Sequence, residues 1–128
     1  MEFQRVFTGA PWEKRVGYCR ALRAGSSVVV TGTVAVDAEG NPFAPGDGYA
    51  QAKRCLEIVV GALAGLGAGP ADVVRTRMFV TDIARWEEFG RAHGEVFEEH
   101  PPATTMVEVK ALIRPEFLIE IEADAVVG

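Results

Sequence analysis

Thiols and imidazoles are scarce, with two cysteines and two histidines among 128 residues. Cys19 and Cys55 are too few to staple a small fold with disulfides. No CxxC, HxH or HExxH spacing occurs, and Pro101-Pro102 follows directly on His100, so no metal site is expected. A basic surplus is also missing, because 13 Lys and Arg face 18 Asp and Glu for a net charge of −5. A nucleic-acid partner normally meets positive charge, so such binding is not expected. Long apolar runs are absent too. The longest uncharged stretch, Ile58 to Ala71, holds four glycines and a proline. It falls short of the roughly 20 residues a membrane-spanning helix needs. Met1 to Arg20 scatters its charges and has no apolar export segment. The expected compartment is therefore the cytoplasm, with both thiols reduced.

What is present is an ordinary globular composition, 48% apolar and 24% charged. It predicts a single domain over residues 1–128 with a real core. Glu2 to Phe7 reads as an edge strand and Thr8 to Gly17 as a loop. Tyr18 to Ala24 and Val28 to Val36 read as a hairpin across Gly25-Ser26. Asp37 to Gly48 is rich in turn residues. Asp47 then caps a helix from Tyr49 to Leu66, with Ala52, Leu56, Val59, Leu63 and Leu66 on one face and Gly67 as its stop. Gly61, Gly65, Gly67 and Gly69 lie late in that helix and after it, so they do not form a phosphate-cradling loop.

Val73 to Val80 reads as a strand with Val74, Thr76, Met78 and Val80 on one face. Asp82 caps a second helix whose buried stripe is Trp86, Phe89, His93 and Phe97. Gly90 and Gly94, one turn apart, suggest close backbone approach. Ala103 to Lys110 and Phe117 to Val127 are the last strands. In the latter, Phe117, Ile119, Ile121, Ala123 and Ala125 alternate with Leu118, Glu120, Glu122 and Asp124. The order is β-ββ-α-β-α-ββ, an α+β arrangement. Two helices cover one face of a sheet of about six strands. Yet Val28-Val29-Val30 is apolar towards both faces, which points to a homo-oligomer that packs sheet faces together.

Chemistry is harder to place from spacing alone. His93 on the buried stripe reads as a packed, hydrogen-bonded histidine or, less simply, a catalytic one. His100 reads as exposed. Glu120, Glu122 and Asp124 share a strand face that is either solvated or turned into a cleft, where one carboxylate would act as general base on water. Glu108 is a similar candidate. Thr31, Thr33, Thr104 and Thr105 lack an obvious activating partner.

The final third carries a resemblance. Pro102-Ala103-Thr104-Thr105-Met106-Val107-Glu108-Val109 and Leu118-Ile119-Glu120-Ile121-Glu122-Ala123 resemble the C-terminal motif of the Rid family. These are the reactive-intermediate (imine) deaminases, also called endoribonuclease L-PSP. Gly17-Tyr18, Val28-Val29-Val30-Thr31-Gly32 and Val73 to Asp82 continue the likeness in order along nearly the whole chain. The resemblance implies a chorismate-mutase-like six-stranded mixed sheet with two helices on one face. It also implies a homotrimer with sites in clefts between subunits, and hydrolysis of 2-imino acids to 2-keto acids and ammonia with no cofactor and no metal.

Carried over residue by residue, Tyr18 lines the cleft, and Thr31 and Gly32 contact substrate. Glu120 positions or activates water, and Met106 stands where many members have cysteine. Thr104 is the departure, because imine deaminases carry an arginine there that grips the substrate carboxylate. Losing such a pair costs about 2–5 kcal/mol, or about 30-fold to several thousandfold in affinity. Gly90 also replaces an asparagine. The chain thus resembles an arginine-less subgroup. Arg20, two residues from Tyr18, is a substitute cation or a solvated strand residue; Arg77 and Arg114 are less constrained candidates. His93, Thr104 and Thr105 suit a neutral pocket. The expected function is binding of a small carbonyl, imine or enamine metabolite, with hydrolysis aided by Glu120. The alternatives are 2-imino acid deamination, a non-catalytic ligand- or partner-binding trimer, and endoribonuclease activity.

Overall fold

The computed structural model describes residues 1–128. Strand β1 (Phe3–Val6) and strand β2 (Ala21–Ala24) flank a short helix, α1 (Pro11–Val16). Strand β3 (Ser27–Val34) leads to helix α2 (Gly48–Ala64), strand β4 (Val73–Val80) and helix α3 (Trp86–Phe97). Strands β5 (Ala103–Glu108) and β6 (Ile119–Val126) follow. All six strands form one sheet in the order β1-β2-β3-β6-β4-β5. β4 and β5 pair in parallel and every other neighbour is antiparallel. The latest strand in sequence therefore lies inside the sheet, between β3 and β4. No helix is long and apolar enough to cross a membrane.

Helix α2 forms where its periodicity requires. Ala52, Leu56, Val59, Leu63 and Leu66 are all buried, and the Asp47 carboxylate accepts from the Ala50 N–H at 3.0 Å. The helix closes at Ala64 rather than Leu66, as Gly67 turns left-handed and the Ala68 N–H donates to the Leu63 carbonyl at 2.9 Å. Gln51 on this helix is fully buried. Its amide donates to the Glu116 carbonyl and accepts from the Leu118 N–H, both at 2.8 Å. One side chain thus fixes the approach to β6.

Several expectations need correction. Thr8 to Gly17 is not all loop, because it holds α1. Pro11 suits the first helical turn, where no N–H is needed. Glu13 reaches back to accept from the Thr8 and Gly9 N–H groups and, at 2.7 Å, from the Thr8 hydroxyl. A six-residue helix is too short to show a repeating apolar stripe. Tyr18 precedes β2 rather than lying in it. Val74 is exposed, because a bulge between Val73 and Arg75 puts Val73 on the buried side instead. Asp82 caps a 3-10 turn, Ile83–Arg85, from which α3 follows directly. The buried face of α3 runs through Phe89, Ala92 and Phe97, whereas Trp86 is 56% exposed in the first turn. Gly94 has open space around it and a Cβ at Gly90 would meet only the Trp86 ring at 3.9 Å, so neither marks a close backbone approach.

Both long helices pack on one face of the sheet, in a single core with Val28, Val30, Met78, Ile119, Ile121 and Ala123. The opposite face has no cover. It presents Val29 and Val107, each more than two-fifths exposed. Arg77 on that face pairs with Glu122 at 3.2 Å and Asp124 at 3.3 Å.

Candidate functional site

Glu120 lies on the uncovered face, beside a β-bulge in β3. Val30 pairs with Ala123 and Thr33 with Ile121, so Thr31-Gly32 adds one residue to β3. Side chains and backbone pin the extra loop. The Thr31 N–H donates to the Arg20 carbonyl at 3.0 Å and the Thr31 hydroxyl to the Cys19 carbonyl at 2.6 Å. The Thr33 hydroxyl donates to the Thr31 carbonyl at 2.7 Å. Arg20 Nη2 donates to the Gly32 carbonyl at 3.1 Å.

The Glu120 carboxylate rests over Gly32. A methyl group at position 32 would sit 2.6 Å from Glu120 Oε2, so only glycine leaves this room. Burial pushes the Glu120 carboxyl above the usual range and Glu122 adds to the rise, while Arg20 pulls it back. Arg20 is not a freely solvated strand residue, because its Nε is buried with no hydrogen-bond partner and its guanidinium lies 5.8 Å from the Tyr18 ring centre. A shallow groove beside the bulge is lined by Arg5, Lys14, Tyr18, Cys19 and Thr31.

A second cluster stands at the far side of the sheet. The Thr76 hydroxyl is 2.8 Å from His93 Nε2 and 2.8 Å from the Thr104 hydroxyl. Thr76 is fully buried and Thr104 exposed. His93 also packs on Phe97, with ring centres 4.6 Å apart. Burial holds its imidazole below the usual pKa, in the neutral form. Met106 lies on the same face, in register with Met78 and against the core. Thr76 is the residue that reading for motifs passes over. Its signal is a lone hydroxyl on the otherwise apolar buried face of β4.

One chain does not bring these clusters together. Thr104 is in register with Thr76, on the helix-covered face, whereas Glu120 is in register with Phe79, on the open face. Tyr18, Arg20, Thr31, Gly32 and Glu120 thus form one group, and His93, Thr104 and Met106 another. The remaining candidates have other duties. The Glu108 carboxylate accepts from the Ile83 N–H at 3.0 Å and fastens the 3-10 turn. Arg77 is engaged by Glu122 and Asp124, and Arg114 by Glu116 at 2.8 Å. His100 is exposed. No cluster of His, Cys, Asp and Glu is arranged to hold a metal ion. Chemically, the open-face group offers a carboxylate with a raised pKa resting over the half-buried Gly32, and the covered-face group offers an uncharged hydrogen-bonding cluster.

Residues 9–127 match the family described as Endoribonuclease L-PSP. An uncharacterised protein of Streptomyces coelicolor is 36% identical over 125 residues, covering 98% of this chain and 92% of its own. The crystal structure of Rv2704 from Mycobacterium tuberculosis, a member of the YjgF/YER057c/UK114 family, superposes with a TM-score of 0.90 at 46% identity. That match spans 98% of this chain and all of the other. E. coli TdcF, solved with bound serine, superposes with a TM-score of 0.79 at 28% identity, over 87% of this chain and 88% of its own. The sheet order, the two helices on one face and these matches agree, and the chain belongs to the Rid (YjgF/YER057c/UK114, endoribonuclease L-PSP-like) family.

Proposed function

We propose that the protein binds a small carbonyl, imine or enamine metabolite in clefts between copies of itself and hydrolyses it with water activated by Glu120. The observation that carries this reading is the Glu120 carboxylate, raised by burial and seated on Gly32 beside the Arg20-pinned bulge. A carboxylate with a raised pKa is a stronger base at neutral pH. In the proposed step Glu120 takes a proton from water as the oxygen bonds to the imine carbon. The C=N pair moves to nitrogen, which receives a proton. The tetrahedral adduct then expels ammonia and leaves the carbonyl, so one water is consumed per ammonia released.

The separation of the two clusters within one chain supports clefts shared between subunits, and the uncovered sheet face supports a homotrimer of the kind the family resemblance implies. We place the chain in an arginine-less subgroup, because Thr104 holds the position where imine deaminases have arginine. The bound serine of E. coli TdcF supports a small polar metabolite as the class of ligand.

The test is hydrolysis of 2-iminobutanoate, generated by an amino-acid oxidase, with semicarbazide trapping what survives. Wild type is expected to be slow and Thr104→Arg faster by about tenfold or more, since a carboxylate-paired cation is worth about 2–5 kcal/mol. Glu120→Gln in the Thr104→Arg background is expected to abolish the gain. The activity should fall on acidification at a pH above the usual carboxylate range, because protonated Glu120 is no base. A wild type that already accelerates hydrolysis as strongly as Thr104→Arg would make the protein a conventional 2-imino acid deaminase, and no acceleration by either would overturn the reading of this cleft as an imine-hydrolysing scaffold. Unchanged rates in Glu120→Gln would remove Glu120 from the chemistry.

A further inference from the structure

Resting on the cleft reading above, we propose that the Thr104 hydroxyl, aimed by Thr76 and His93, grips the polar substituent of the ligand, and that this subsite takes an uncharged carbonyl or amide rather than a carboxylate. Three groups form a tight triangle, with the Thr76 hydroxyl 2.8 Å from both His93 Nε2 and the Thr104 hydroxyl, and the Thr104 hydroxyl itself 3.5 Å from His93 Nε2, a longer and weaker contact. The inner two are held by the fold, since Thr76 is fully buried and His93 is packed on Phe97. Thr104 alone is exposed.

A hydroxyl has one proton to donate. If Thr76 donates to His93, it accepts from Thr104, and Thr104 turns its lone pairs outward. If His93 Nε2–H donates to Thr76, then Thr76 donates to Thr104, whose proton is free for a ligand oxygen. The Pro102 carbonyl, 3.4 Å away, competes weakly for that proton. In either arrangement the buried pair fixes what Thr104 offers, and a ligand group of matching polarity completes the chain.

Charge decides the class of ligand. All three groups are uncharged, the imidazole being held neutral by burial. The cations of β4 do not help, because Arg75 and Arg77 alternate with Thr76 and fall on the other face. Arg91 of α3 lies over the Tyr49 ring, 4.0 Å from its centre. A carboxylate brought to Thr104 would lose water and meet no charge on the three hydrogen-bonding groups of this cluster. An amide or ketone of the same shape loses much less.

The matched probes are 2-oxobutanoate and 2-oxobutanamide, titrated separately into the assembled protein and followed by amide and methyl NMR shifts. Expected are shifts at Thr104, His93, Thr31 and Gly32, with the amide binding about tenfold tighter than the carboxylate. Thr104→Val should weaken the amide about five- to tenfold, and Thr104→Ser should restore it. Thr76→Val should weaken it comparably although Thr76 never touches the probe, and should change the His93 ring nitrogen shifts that report its tautomer. Equal or tighter binding of the carboxylate would overturn the proposal, as would an unchanged affinity in Thr104→Val. Shifts confined to Thr31 and Gly32 would overturn it while leaving the cleft reading intact. Absence of shifts at both clusters would overturn both.

Discussion

At residue scale, three acidic side chains share one face of β6, and their surroundings separate their roles. Arg77 holds Glu122 and Asp124, whereas Glu120 has no ion-pair partner and is raised by burial. Gly32 makes Glu120's position possible. Gly32→Ala places a methyl 2.6 Å from the Glu120 carboxylate oxygen and 3.0 Å from its carbon. The flexible carboxylate then swings away, so the fold should survive, with a melting temperature within a few degrees of wild type, since about 1 kcal/mol shifts it by about 4–8 °C. Imine hydrolysis should drop about tenfold or more in the Thr104→Arg background, because misplacing a catalytic group by about 1 Å is costly. A melting curve beside a rate measurement separates the two effects. Alternation along β6 assigned the acidic face correctly, yet could not choose among its members. That choice depends on a bulge and an arginine contributed by β3 and the segment before β2, with Gly32 and Arg20 lying 88 and 100 residues before Glu120. The Thr76 chain was equally hidden, since strand, helix and neighbouring strand each supply one member.

At the scale of elements, sequence patterns were most readable where a period runs long. The α2 stripe, the β4 strand limits and the inward residues of β6 all stand where their spacing puts them. Short elements were not readable: α1 depends on Glu13 folding back onto Thr8 and Gly9, a local hydrogen-bond pattern without periodicity. Trp86 misled for a related reason, because a 3-10 turn precedes α3 and the stripe starts only at Phe89. Gln51 shows how elements are fastened to one another. It ties α2 to Glu116 and Leu118 from a fully buried position. Gln51→Leu keeps the volume but strands a buried carbonyl and N–H. It should cost about 2–6 kcal/mol, at about 1–3 per orphaned group, read as a lower urea midpoint at an unchanged slope. An unchanged midpoint would mean that water replaces the side chain.

At the scale of the whole molecule, the sheet has one covered face and one open face. Val29 is 44% exposed and lies opposite Asp124 on β6 and Leu22 on β2. If copies pack through this face, Val29→Lys inserts a charge into an apolar contact. Sedimentation should then show the wild type at three times the chain mass and the variant shifted towards the single chain. A wild type that sediments as one chain would leave the open face without the partner proposed for it. The −5 charge carries a further expectation of weak attraction to polyanions, whatever the older name of the family.

The position of β6 has a consequence for how the protein is made. β6 fills the gap between β3 and β4, yet it follows every other element in sequence. During synthesis, β1 to β3 and β4 with β5 leave the ribosome as two separate sheet fragments, each with an unpaired inner edge. The core cannot close until Ile119 to Val126 has emerged to zip them together. A message cut short just before these residues would yield a product without the middle of its sheet, prone to aggregate rather than fold.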